Sequence, residues 1–325
     1  MIRSGIFEFS ALQGYDEISR VSPGVNDDPN GKQVAMVRLK FSISLVYDVR
    51  DTAADFIFNL QAANTPCQRV VEESLYVSQS VATHHYTDPV GNRLLRLRAA
   101  QGPLTVSYSA MVDLDQVFSL PAHLGEAPIA QLPMAVLPYI YPSRYCQSDQ
   151  MTQLATREFG HLPQGYVRAQ AILDWVQART KFTSASSNSS TSALDTLAQH
   201  VGVCRDFAHL MIALCRAVNI PARMATGIDY GADPALGPTD FHAYVEVFVG
   251  GRWYIFDPSG TAIPMGFVRI GTGRDAVDVA FSTIFGMVTS APPLISIVAV
   301  TEAGRPWLIP FHRADAVSTA GEYLG

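Results

Sequence analysis

From residue 36 to residue 112 apolar and polar side chains alternate with a period of two. Met36 to Tyr47 opens the pattern, and Asp55 to Leu60, Val70 to Val77, Leu94 to Leu97 and Leu104 to Met111 repeat it. Successive strand residues point to opposite faces, so these runs predict half-buried strands. Asn64-Thr65-Pro66 and Asp88-Pro89-Val90-Gly91-Asn92 supply the turns. Helical periodicity is absent here, and the spacing predicts an antiparallel, sandwich-like β domain. The period then changes to 3.6. Helices are predicted from Ser148 or Asp149, either of which can cap, to about Phe159, over Tyr166 to Arg179, over Ala193 to His200 and over Val203 to Val218. Phe241 to Val249 and Arg252 to Phe256 read as two strands around Gly250-Gly251, a two-residue hairpin signal. Pro292 to Val300 and Trp307 to Phe311 read as closing strands. A strand-only first part and a mixed second part make an α+β chain of two domains.

Punctuation residues set the expected boundaries. Residues 1–35 are polar and turn-rich and read as a mobile leader, and 36–112 is the β domain. Prolines at 121, 128, 133, 138 and 142 predict a linker with little regular structure over 113–148. A second domain follows over 149–315, and 316–325 reads as a frayed tail. Thr183 to Ser192 has a linker composition, consistent either with a flexible tether or with an ordered loop lining a groove. Thr226 to Phe241 begins as a strand and becomes a loop with Gly231, Pro234, Gly237 and Pro238, placed to act as a flap.

With 325 residues, 48% hydrophobic and 16% charged, the chain can bury a large core. A formal charge of −6 and a pI near 5.7 leave no basic footprint for nucleic acid, and no apolar run is long enough to cross a membrane. The four cysteines, at 67, 146, 204 and 215, lack the spacing of zinc or redox sites. Cys204 and Cys215 sit roughly 16 Å apart along one helix and cannot bridge, so reduced thiols and a cytoplasmic location are expected. His84-His85 point to opposite faces of a strand with no third ligand nearby in sequence, which argues against a metal.

The candidate chemistry lies between Gly202 and Asp257. Cys204, Phe207, Ala208, Met211, Leu214, Cys215 and Val218 form one helical stripe, so Cys204 faces inward at a helix N-terminus, a position that favours a thiolate. His209 is about 140° further round the helix and reads as structural. A two-residue turn at Gly250-Gly251 pairs Val249 with Arg252 and Tyr244 with Asp257. His242 and Asp257 are then diagonal neighbours on one face, roughly 7–8 Å apart at the backbone, within reach of each other's side chains. Asp257 can hold His242 in one tautomer while its other nitrogen faces Cys204.

Several strings resemble the transglutaminase-like superfamily, papain-like thiol enzymes, and within it the bacterial branch described as cysteine proteases. They are Gly202-Val203-Cys204-Arg205-Asp206-Phe207-Ala208-His209-Leu210, Gly227-Ile228-Asp229 after Ala222-Arg223, His242-Ala243-Tyr244-Val245-Glu246-Val247 and Phe256-Asp257-Pro258. The resemblance implies a Cys-bearing helix on an antiparallel sheet, with Cys204 as nucleophile, His242 as base and Asp257 as orienting acid. Tyr47-Asp48-Val49 and Gly91-Asn92 resemble the family's N-terminal region. The chain departs from the pattern at Tyr244, where the family often has Trp. Tyr244, with Arg144 in the family-like segment Tyr141 to Asp149 and Arg274 in the segment Gly273 to Val279, is a candidate substrate-binding residue. The implied partner is a peptide or protein amide, attacked through a thioester without metal or organic cofactor. Water as acceptor makes a protease or amidase, and an amine makes a transamidase. The alternative is a non-catalytic interaction module on the same scaffold.

Overall fold

The computed structural model describes residues 25–27, 33–232, 239–301 and 307–321. Its first part is one antiparallel sheet of nine strands. Val25–Asp27 (β1) pairs with the start of Gln33–Asn59 (β2), so the first strand begins inside the span read as a leader. The remainder of the leader lies outside the described residues. Gln68–Val77 (β3) and Thr83–Thr87 (β4) pair with Arg93–Ser119 (β5), which also runs along β2.

β2 and β5 are each 27 residues long where the pattern suggested separate shorter strands. In β2 the buried positions are odd from Val37 to Val49 and even from Ala54 to Phe58, and in β5 they switch parity between Ala99 and Leu104. A register irregularity between Val49 and Ala53 produces this switch. Three residues of β2, 50–52, oppose a single one of β5 there, and the buried parity changes in both strands while the ladder continues, which in sequence looks like a strand ending.

The second part contains helices Thr152–Phe159 (α1) and Tyr166–Arg179 (α2), the short strand Lys181–Phe182 (β6), helix Ala193–Gln199 (α3), the strand Val201–Gly202 (β7) and helix Cys204–Ala217 (α4). α1 is entered through a 3-10 turn at Ser148–Met151 and has no side-chain cap, so neither Ser148 nor Asp149 caps it. Strands Ala222–Asp229 (β8), His242–Val249 (β9), Arg252–Phe256 (β10) and Phe267–Gly273 (β11) form a four-stranded antiparallel sheet in the order β10-β9-β8-β11. Gly250 and Gly251 have φ of +56° and +75°, as a two-residue turn of type I′ demands.

This sheet is buried on both faces. Ala243, Val245 and Val247 pack with Met211, Leu214 and Cys215 of α4, whereas Tyr244, Ile255, Phe267 and Ile270 join the core of the β domain. The two parts are further stitched together after β11. Helix Ala276–Val279 (α5) is followed by Ser282–Phe285 (β12), Val288–Ser290 (β13) and Leu294–Ala299 (β14), all paired with β2. Ala316–Ser318 (β15) pairs with β5 and is buried, so 316–320 is a packed strand and its continuation, not a frayed tail. Residues 282–299 likewise belong to the first sheet, although they fall within the span 149–315 expected for the second domain.

The proline-rich span is also structured. β5 occupies its first seven residues, to Ser119. Leu132, Val136 and Tyr139 then pack against Phe248 and Trp253. The buried Arg216 of α4 donates to the carbonyls of Tyr141 and Arg274 and to Ser143 Oγ, pinning both segments to the helix. Short 3-10 turns at Pro121–His123, Ile129–Gln131 and Leu137–Tyr139 carry the chain there, and proline, tolerated in a first turn, does not prevent burial.

Glu246 of β9 is fully buried, accepting from Arg223 Nε of β8 at 2.7 Å, from Arg269 of β11 and from Thr319 Oγ1 at 3.1 Å. Glu246→Ala removes the carboxylate that neutralises two buried guanidinium groups. We expect it to cost about 3–5 kcal/mol in urea unfolding, whereas a loss below about 1 kcal/mol would show that the cations find other compensation.

Candidate active site

Cys204 is the first residue of α4. Val203 before it is extended, and its N–H donates to Asp206 Oδ2 at 2.9 Å. Valine has no acceptor with which to return the bond, so Asp206 supports the helix start from one side only. A Cβ on Gly202 would lie 2.7 Å from Asp206 Cβ, so the close approach of β7 to this turn requires glycine. Arg205 reaches Asp206 Oδ1 at 3.2 Å, Ser187 Oγ at 3.0 Å and the Asn188 carbonyl at 2.9 Å. The serine-rich stretch is therefore held as an ordered loop, and its Ser184 and Ala185 line the cleft beside Cys204.

His242 is the first residue of β9, and Asp257 directly follows β10. Their strands pair from Arg252↔Val249 to Phe256↔Val245, the register expected from the hairpin. His242 Nε2 lies 3.2 Å from Asp257 Oδ1. The carboxylate is saturated: Oδ1 also accepts from the Ser259 N–H and hydroxyl, and Oδ2 accepts from the N–H groups of Thr261 and Ala262. Burial alone would raise its pKa, but the charge of His242 and these hydrogen bonds hold it below the usual aspartate range.

A second carboxylate stands on the other side of the ring. Asp229, at the end of β8, has Oδ2 3.7 Å from His242 Nδ1, while its Oδ1 accepts the Tyr244 hydroxyl at 2.6 Å. Burial pushes Asp229 up to about 6 against the opposing pull of His242 and Tyr244. Burial would push His242 down, but Asp229, Asp257 and Cys204 outweigh it and hold the imidazole well above the usual histidine range. Gly227 pairs with His242 across β8 and β9, which puts Asp229 within reach of the ring. Gly227-Ile228-Asp229 was legible as a family-like string, but only that cross-strand register gives Asp229 a place beside the histidine.

Cys204 and His242 line one cleft of 590 Å³, walled by Phe182, Met224, Ile270, Val279 and Phe281. Ala232, Thr239 and Asp240 line its mouth; residues 233–238 of the expected flap lie outside the described residues. The other three candidates are elsewhere. Tyr244 is fully buried beneath His242, where its hydroxyl needs and finds Asp229, so it supports the ring and does not wall the cleft. Arg144 is exposed and lies over the Tyr145 ring, and Arg274 is exposed and paired with Asp278 at 2.9 Å. Neither lines the cleft: the Tyr145 N–H donates to Asp275 Oδ2 at 3.0 Å and Arg216 donates to the Arg274 carbonyl, which ties the two segments to each other and to α4. His209 is structural, as its helical position indicated. It is buried, stacks on Tyr145 and accepts the Ala276 N–H at 3.2 Å. Among the described residues no cluster of His, Cys, Asp and Glu could hold a metal ion.

An inward cysteine at a helix start and an imidazole fixed by a saturated carboxylate can together perform nucleophilic acyl transfer. Residues 152–258 match the family described as Transglutaminase-like superfamily, and residues 37–135 match Bacterial transglutaminase, N-terminal domain. The chain is 36% identical to a protein from Cytophaga hutchinsonii of known crystal structure, named "Putative Cysteine Protease", with a TM-score of 0.80 over 87% of this chain and 97% of that one. It is 27% identical to ML0607 of Mycobacterium leprae over 75% of this chain and 90% of that protein. Rv2569c of Mycobacterium tuberculosis is 34% identical over 113 residues, 31% of this chain and 36% of that protein.

Proposed function

We propose, for a chain that belongs to the transglutaminase-like superfamily, that it is a thiol-dependent acyl-transfer enzyme acting on amide bonds of peptides or proteins. The observation that carries this reading is the convergence of Cys204 and the Asp257-held His242 on one cleft. Nε2–H donates to Asp257, which leaves Nδ1 to take the proton of the Cys204 thiol. The thiolate attacks the amide carbonyl, a C–S bond forms, and the carbonyl electrons move to oxygen. Backbone N–H groups at the start of α4, including that of Cys204, are placed to stabilise this oxyanion. Collapse expels the amine, which takes the proton from His242, and leaves a thioester. Water attacking the thioester completes hydrolysis, and an amine completes transamidation.

Iodoacetamide titration near pH 7 tests the reading without knowledge of the substrate. Cys67, Cys146 and Cys215 are buried, and burial raises the pKa of each thiol. One thiol, mapped to Cys204, is expected to react at least about ten-fold faster than these three. Four equally slow thiols would instead support a non-catalytic interaction module.

A further inference from the structure

Asn59 closes β2, in the sheet contributed by the N-terminal domain. It is 2% exposed, yet neither Oδ1 nor Nδ2 has a hydrogen-bond partner. Its own N–H is satisfied by the Phe281 carbonyl at 3.0 Å, so the backbone is anchored and only the side-chain amide is left open. Asn59 lines the same cleft as Cys204 and His242. Room for it depends on Gly271 of β11, where a Cβ would stand 2.6 Å from Nδ2. An unpartnered amide inside a folded protein is a cost, which native structures offset with water, an ion or a ligand.

The neighbourhood restricts what that ligand is. Met224, Ile270, Val279 and Phe281 offer it nothing polar from their side chains. The Thr226 hydroxyl is directed at the Val279 carbonyl at 3.5 Å. Arg205, the one lining guanidinium among the described residues, is taken by Asp206, Ser187 and Asn188, and the His242 imidazole lies between Asp257 and Asp229. A carboxylate on the ligand would therefore be buried without a free counter-charge. A carboxamide presents an acceptor and a donor side by side, and its complement is another group with both. We propose that Asn59 is a specificity-determining residue that pairs with a neutral amide of the substrate flanking the bond attacked by Cys204. This rests on the acyl-transfer reading above and adds to it a role for the β domain, which completes the substrate cleft. The complementary amide is either the main chain of an extended peptide or a carboxamide side chain.

The test uses the full chain and three peptidyl chloromethyl ketones, which alkylate the thiolate with loss of chloride. A parent probe carries glutamine next to the reacting residue, a second replaces that glutamine with norleucine, and a third N-methylates its main-chain nitrogen. Labelling of Cys204 is followed by mass spectrometry in the wild type and in Asn59→Leu. The variant is expected to label with the parent probe about ten-fold more slowly and to react with iodoacetamide at a rate within about two-fold of wild type. It is also expected to melt higher, because an open buried amide has been replaced by an apolar side chain. In the wild type, a slower norleucine probe assigns the contact to a side-chain carboxamide, and a slower N-methyl probe assigns it to the main chain. Equal parent-probe rates in the two proteins would overturn the proposal. So would a variant that melts lower and reacts more slowly with iodoacetamide too, since Asn59 would then be structural. If wild-type Cys204 fails to react even with iodoacetamide, it is the acyl-transfer reading that falls, and the subsite with it.

Discussion

Asp257→Asn is expected to lower turnover on the order of 10⁴-fold while the fold persists. The surroundings of the carboxylate dictate how an amide would sit. Thr261 and Ala262 present two N–H donors to Oδ2, so the single oxygen of asparagine takes that place and its NH₂ turns toward Ser259 and His242. An NH₂ facing Nε2 makes that nitrogen the acceptor, moves the ring proton to Nδ1, and leaves Cys204 without a base. The Ser259 N–H loses its acceptor, which costs about 1–3 kcal/mol of stability, and alkylation of Cys204 near neutrality slows because the imidazolium is no longer supported.

Acid stability changes with it. Asp257 has a folded-state pKa below its ordinary 3.8, so its contribution is present above that value and is lost as the pH falls through the lowered one. The variant lacks this loss and is expected to show a flatter stability profile on the acid side of pH 4. Rate assays, alkylation against pH and urea unfolding from pH 2 to 6 read all three effects. Unchanged turnover and alkylation would remove Asp257 from the mechanism.

Cys204→Ala is expected to abolish turnover with native stability retained to within about 1 kcal/mol. The thiol lines the cleft and is only half-buried, so its removal opens no cavity in the core. His242 should move down from its raised value, because Cys204 is one of the groups that hold it up. Amide hydrolysis and aminolysis by wild type and variant at equal concentration, with the His242 titration followed by NMR, measure both. Hydrolysis retained in the variant would exclude Cys204 as the nucleophile.

Cys204 and the His242–Asp257 pair could be located in the sequence because each depends on short-range structure. The start of α4 follows from Gly202, Asp206 and a 3.6-residue stripe. The hairpin register follows from two glycines that alone take positive φ without strain, and that register brings Asp257 to His242 across only fifteen residues. The sequence assigns Asp229 no role because its place depends on β8 pairing with β9, two strands that no short turn signal joins. The expectation that Tyr244 binds substrate fails for a related reason. Alternation shows which residues share a face but not what lies against that face, and here it is the core of the other domain.

The same distinction separates the two levels for the whole molecule. Period and turn chemistry were enough to determine an α+β chain, a β-rich first part, the helices of the second and the place of the candidate nucleophile, since each is decided by neighbours within a few turns or one hairpin. Only the tertiary structure decided that β12, β13 and β14 return to β2, that β15 is buried against β5, and that Asn59 stands in the cleft with Cys204. Those pairings join residues up to some two hundred and sixty positions apart. No local propensity encodes them, because what selects them is the burial of whole apolar faces once both sheets have formed.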